Sequence, residues 1–148
     1  ILDGKTVVHD ENVLILGGGL VGCETAEFLH QYHNRITIVD MVDKLAKEAP
    51  KRPRAVLMER LEKAGVKAQL DTKIAEILPD GIRAEKNGQE LVLGGFTTLV
   101  LSLGCRNYNP LEEAAKKSFR EVYVTGDAVR ARDAKQAIYQ AAKLALTI

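Results

Sequence analysis

The chain has 148 residues, enough to bury one substantial core and too few for two full domains. With 46% hydrophobic and 28% charged residues it has the composition of an ordinary globular protein, not of a disordered or low-complexity one. Twenty-one basic against twenty acidic side chains leave no global field to hold it on nucleic acid or an anionic membrane, so an acidic ligand must be bound by local geometry.

No apolar stretch approaches the roughly 20 residues needed to cross a bilayer, and no export signal opens the sequence, so the expected setting is the cytoplasm. Cys23 and Cys105 lack the spacing of a redox pair or metal cluster and read as buried, reduced, structural thiols. His9, His30 and His33 show no metal-ligand spacing and read as solvated or turn residues. No metal site is expected.

In chain order, an opening segment with an Asp3-Gly4 turn signal leads to an apolar run at 12–16 that halts at three glycines. From 20 to 32, Gly22, Ala26 and Leu29 repeat on one face, which predicts a helix packed closely on a sheet. His33-Asn34 breaks it, and the β-branched run 35–39 ends at Asp40. Strand, loop, helix and strand fit the size of a parallel βαβ unit. A second helix is expected from Pro53, with Leu57, Leu61 and Ala64 on one face, stopping at Gly65.

After a strand at 66–70 the texture changes to short strands at 72–78, 82–86 and 90–93, separated by Pro79-Asp80-Gly81 and Asn87-Gly88. A three-stranded antiparallel meander therefore takes the place of a crossover helix before the strand 98–103 returns to the parallel sheet. Beyond the turn-rich 105–110, a helical turn at 111–117, a final strand at 121–125 and a helix from Asp133 toward Thr147 are expected. That last helix should turn Ala134, Ala137, Ile138, Ala141 and Leu144 or Ala145 inward. The fold class is α/β, a Rossmann-like parallel sheet with a meander crossover.

Gly17-Gly18-Gly19-Leu20-Val21-Gly22 follows a strand, opens a helix, and precedes an acid at the end of the next strand by about twenty residues. Gly17 suits the tight turn, Gly19 the approach of a pyrophosphate to backbone N–H groups, and Gly22 close packing of helix on sheet. Phosphates would meet the positive end of the helix. Asp40 would accept hydrogen bonds from ribose hydroxyls and repel a 2′-phosphate, favouring NAD(H) over NADP(H). Lys44, Lys51, Arg52 and Arg54 leave two readings open, partners for a phosphate or a solvated loop and helix start.

GlyGlyGlyLeuValGlyCysGluThrAlaGluPheLeu at 17–29 and ThrIleValAspMetValAspLysLeuAla at 37–46 resemble the 2,4-dienoyl-CoA reductase and NADH:flavin oxidoreductase family. LeuSerLeuGly at 101–104, ValTyrValThrGlyAspAlaVal at 122–129 and AlaIleTyrGln at 137–140 extend the resemblance over nearly the whole chain. It implies an NAD domain at 1–104, inserted in an FAD domain that 105–148 would complete. It further implies that Gly126 and Asp127 serve FAD, with Asp127 on the ribityl chain, and that Glu24 and Gly104 lie near the nicotinamide.

The sequence also departs from the family pattern. There is no second GxGxxG, two cysteines cannot supply the four thiolates of an iron–sulfur cluster, and Ala131 stands where the family often has proline. The expectation is therefore a C-terminal portion of a larger enzyme. An N-terminal FAD half and a catalytic barrel with FMN and an iron–sulfur cluster would lie in absent domains. The parent would pass hydride from NADH to FAD, while this portion alone would bind NADH and turn nothing over. Two alternatives stay open, a non-catalytic NAD(H)-sensing regulatory module and an S-adenosylmethionine-dependent methyltransferase. The final substrate and oligomeric state are not legible.

Overall fold

The computed structural model describes residue 1 and residues 5–148, so the expected Asp3-Gly4 turn lies outside the described residues. The chain divides into two compact units, Ile1–Gly104 and Cys105–Ile148.

The first unit runs β1 (Asn12–Leu16), α1 (Leu20–His30), β2 (Arg35–Val39), α2 (Lys51–Lys63), β3 (Lys67–Gln69), β4 (Thr72–Leu78), β5 (Gly81–Lys86), β6 (Gln89–Leu93) and β7 (Thr98–Leu101). Its parallel sheet has the order β3-β2-β1-β7, and β4-β5-β6 form a separate antiparallel sheet. This is the expected α/β architecture with a meander between β3 and β7.

Alternation along β1 explains the three layers. Val13 and Ile15 pack with Ile36 and Ile38 of β2 against Cys23, Ala26 and Leu29 of α1 and Leu57 and Leu61 of α2. Leu14, Leu16 and Val39 point to the other face, where Ile82 and Ala84 of the meander cover them. Both faces of the strand are thus dry, which is why β1 reads as a continuous apolar run. Each such side chain contributes about 1.5–3 kcal/mol of burial.

Element ends follow local hydrogen bonding. Helix α1 stops at His30, two residues before the expected end, because Asn34 caps it: its side-chain amide donates to Leu29 O at 2.8 Å and Val8 O at 2.7 Å. Helix α2 begins two residues before Pro53, whose missing N–H falls in the first turn, where no helical acceptor exists. Its end is a complete left-handed cap, with Gly65 at φ +67° donating to Glu62 O and Val66 donating to Leu61 O. Strand β7 ends at Leu101, short of the expected 103, because its neighbour β1 ends at Leu16. The Asn87-Gly88 turn has positive φ at both residues, as a two-residue hairpin requires.

The second unit contains α3 (Glu112–Ser118), a 3-10 turn at Gly126–Ala128 and α4 (Ala134–Ala145). Asp133 caps α4, its Oδ1 accepting the Gln136 N–H at 2.7 Å. The expected strand at 121–125 is not formed, since the second unit contains no other strand to complete a ladder. Nor does α4 bury the face expected to point inward: no residue of α4 is buried and Ile138 is 69% exposed. Two short helices without a sheet supply no second layer to cover it.

Among the described residues no helix is long and apolar enough to cross a membrane.

Candidate functional site

The chain steps outward from β1 to β2 to β3 and then returns to place β7 on the other side of β1. At such a reversal the loops leaving the two neighbouring strands diverge and open a crevice at their carboxyl ends. Here those loops are the glycine turn after β1 and Ser102 after β7.

Gly17, at φ +107°, donates its N–H to Val39 O at 2.9 Å, and a β-carbon on it would stand 2.1 Å from the Ser102 carbonyl oxygen. Gly18 donates to Asp40 Oδ2 at 2.5 Å and accepts the Ala46 N–H at 2.7 Å. Gly19 is the N-cap of α1, and its carbonyl accepts the first helical bond from Cys23 at 3.0 Å. The N–H groups of Leu20, Val21 and Gly22 therefore have no helical acceptor and face the crevice end of the helix. Gly22 proves tight against the turn itself, a β-carbon there standing 2.0 Å from the Gly17 carbonyl oxygen and 3.3 Å from Ser102 Oγ.

Asp40 is half-buried and uses both carboxylate oxygens on backbone, Oδ2 on Gly18 and Oδ1 on the Val42 N–H at 3.2 Å. It thereby ties the end of β2 to the glycine turn. Glu48, which sequence reading did not single out, places Oε1 on the Leu20 N–H at 2.5 Å. No spacing rule could have found it, because it lies 28 residues beyond Leu20 on a loop whose path turns at Ala46, a non-glycine residue at φ +45°.

Val21 is exposed, and Glu24 is an exposed residue of the next turn of α1. Gly104 closes the first unit at φ +83°. Gly126 and Asp127 belong to the second unit, where the Gly126 N–H donates to Gln140 Oε1 at 2.9 Å and Asp127 Oδ1 accepts the Arg132 N–H at 3.4 Å. Arg54 donates to Leu45 O at 2.8 Å, while Lys44, Lys51 and Arg52 are exposed.

Cys23 lies beneath the turn, its thiol donating to Gly18 O at 3.4 Å, and burial pushes its pKa up to about 11. Cys105 is exposed rather than buried, and stands at the start of the second unit in a stretch without regular secondary structure. The three histidines are exposed as well, His9 standing edge-on to Tyr32 at 4.9 Å. Among the described residues no group of three His, Cys, Asp or Glu side chains is placed to hold a metal ion. An open groove of about 850 Å³, lined by His30, His33, Asn34, Arg35 and Lys67 among others, lies at the opposite ends of β1 and β2, away from the glycine turn.

A crevice at a strand-order reversal, floored by a glycine turn and the open end of a helix, defines a Rossmann-type nucleotide-binding domain. The chain belongs to the pyridine nucleotide-disulphide oxidoreductase family, which it matches over residues 3–143. An NADH oxidase of Thermoanaerobacter brockii is 34% identical over 134 residues, covering 86% of this chain and 20% of that protein. A bilirubin reductase of Mediterraneibacter gnavus (strain CC55_001C) is 33% identical over 139 residues, covering 90% of this chain and 22% of that protein. The solved structure of a 2-naphthoyl-CoA reductase complex shares the fold, with TM-score 0.79 at 23% identity over 99% of this chain and 22% of that one.

The chain thus spans about a fifth of the length of these curated relatives. Family membership implies FAD and a pyridine nucleotide as cofactors. It favours neither a methyltransferase nor a stand-alone sensor.

Proposed function

We propose that residues 1–104 form the NAD(H)-binding domain of a flavin-dependent oxidoreductase, that residues 105–148 contribute to its FAD domain, and that the whole enzyme passes hydride from NADH to FAD. The observation that carries this reading is the open end of α1: its first N–H groups face a crevice at the strand-order reversal, and one of them already holds a carboxylate. A helix terminus that accepts one anion has the donors and the partial charge to accept another.

Gly19 fits this role because a β-carbon there would meet no described atom except the Glu48 carboxylate, leaving the helix end open on that side. Leu20, Val21 and Gly22 would offer backbone N–H groups to a pyrophosphate, with Gly17 and Gly18 shaping the turn. Asp40 would accept ribose hydroxyls through its remaining lone pairs, and its charge disfavours a 2′-phosphate, hence NADH over NADPH.

The nicotinamide and flavin rings supply the hydride chemistry when bound, and this chain's residues bind, orient and exclude water. Glu24 and Gly104 are assigned to the nicotinamide side, and Gly126 and Asp127 to FAD. No side chain here is required as a nucleophile. An enoate- or dienoyl-CoA-reductase-like subtype is supported by the motifs at 17–46, 101–104 and 122–140. Any FMN or iron–sulfur cluster belongs to segments outside this chain, since two cysteines cannot ligate one.

Isothermal titration with NADH and NADPH tests the reading. NADH should bind and NADPH should bind on the order of tenfold more weakly, the size of about 1.4 kcal/mol of repulsion at Asp40. Heat-silent, undetectable binding of both nucleotides at millimolar concentration contradicts the dinucleotide site, and an NADPH preference overturns the role of Asp40.

A further inference from the structure

We propose that Glu48 is a displaceable occupant of the phosphate seat on α1, and that a nucleotide's phosphates bind by taking the place of its carboxylate. The proposal rests on the dinucleotide reading above and adds what controls that site.

Three observations carry it. Glu48 Oε1 accepts the Leu20 N–H and stands 3.1 Å from where a β-carbon on Gly19 would be, so it covers the one glycine that otherwise opens the helix end. The loop beneath it is pinned: Ala46 N–H bonds Gly18 O at 2.7 Å, Ala49 N–H bonds Ala46 O at 3.0 Å, Arg54 holds Leu45 O, and Leu45 and Ala46 are buried. The Glu48 side chain, in contrast, is exposed and joins no salt bridge among the described residues, the nearby Lys47 being paired with Asp43 at 2.9 Å.

Only side-chain rotation is therefore needed to clear the seat, with no rearrangement of the loop. Clearance is required because a pyrophosphate and a carboxylate cannot share one N–H. With Asp40 already on Gly18, a retained Glu48 would also set two negative charges against the incoming anion. The resting protein thus satisfies its own helix end, and nucleotide affinity is set by competition between Glu48 and phosphate.

The test is calorimetry on the full chain with NADH, ADP and adenosine, comparing wild type with Glu48→Ala, Glu48→Gln and Asp43→Asn. Asp43→Asn makes the same change in net charge on the same loop. Glu48→Ala should bind NADH and ADP roughly two- to fivefold more tightly, the range of a carboxylate at a helix N-terminus, with adenosine unchanged. Glu48→Gln should fall between, and Asp43→Asn should match wild type. The Leu20 amide resonance reads the seat directly and should move in Glu48→Ala without ligand and in wild type on adding ADP.

If wild type binds NADH but Glu48→Ala binds it equally or less well, or if Asp43→Asn tightens binding as much, the role of Glu48 is wrong and the dinucleotide reading stands. If neither wild type nor Glu48→Ala binds NADH, the dinucleotide reading falls and this proposal with it.

Discussion

The carbonyl oxygen of Gly17 lies 2.0 Å from where a β-carbon on Gly22 would stand. The turn leaving β1 therefore folds back onto the first turn of α1 with backbone against backbone. A flexible side chain could yield at such a contact, but a peptide carbonyl held in the turn cannot without moving the loop.

Gly22→Ala should lower the unfolding free energy by about 1–3 kcal/mol, the usual cost of forcing a methyl into filled space, even though alanine in a helix is otherwise favoured by up to about 1 kcal/mol. Gly65→Ala is the companion measurement. Gly65 has nothing within 4 Å of a would-be β-carbon but sits at φ +67°, so its cost should come from backbone conformation alone, about 1–2 kcal/mol. Urea unfolding reports both values. Only Gly22→Ala should also weaken NADH binding, and a neutral or stabilised Gly22→Ala protein would mean the turn is not held against the helix.

The meander should behave as one face of the core and not as an appendage. Ile82 is fully buried with Leu14, Leu16 and Val39, so Ile82→Ala should cost about 2–5 kcal/mol. Ile77, on the same meander but 54% exposed, should tolerate alanine within about 0.5 kcal/mol. Equal effects at the two positions, measured by denaturant unfolding, would show that the meander does not cover the sheet.

Burial of Cys23 has a chemical and a thermodynamic consequence. With its pKa pushed up to about 11 the thiol remains protonated at neutral pH, so a thiol reagent should label Cys105 rapidly and Cys23 only after denaturation. The unfolded thiol ionises near the ordinary value of about 8.5. Above that pH the unfolded state loses a proton that the folded state retains, so stability should be full below it and fall as the pH rises toward about 11. Cys23→Ser, which does not ionise there, should remove this part of the alkaline slope.

Much of the first unit was legible because its cues are local. The apolar run of β1, the glycine turn, the small face at Gly22, Ala26 and Leu29, and the Asn87-Gly88 and Pro79-Asp80 turns each declare an element within a few residues. What was missed depends on contacts distant in sequence. The break of α1 at Asn34 was read, but not the reach of its side chain to the distant Val8 O, and Glu48 meets Leu20 only because the loop after β2 curls over the helix.

The second unit shows the opposite failure. The β-branched pattern at 121–125 and the apolar stripe of α4 are sound local signals, but a strand needs a neighbour to bond and a helix face needs a layer to cover it. Neither is supplied by α3 and the short turn that make up the rest of that unit.

The most direct measurement of the central claim is a titration of the isotopically labelled chain with NADH, followed through its backbone amides. The dinucleotide reading requires saturable shifts concentrated at Gly19, Leu20, Val21 and Gly22, with a second group around Asp40. It is contradicted if those amides stay fixed up to roughly 5 mM NADH, a concentration that detects even binding worth only about 4 kcal/mol, or if the shifts gather elsewhere on the surface.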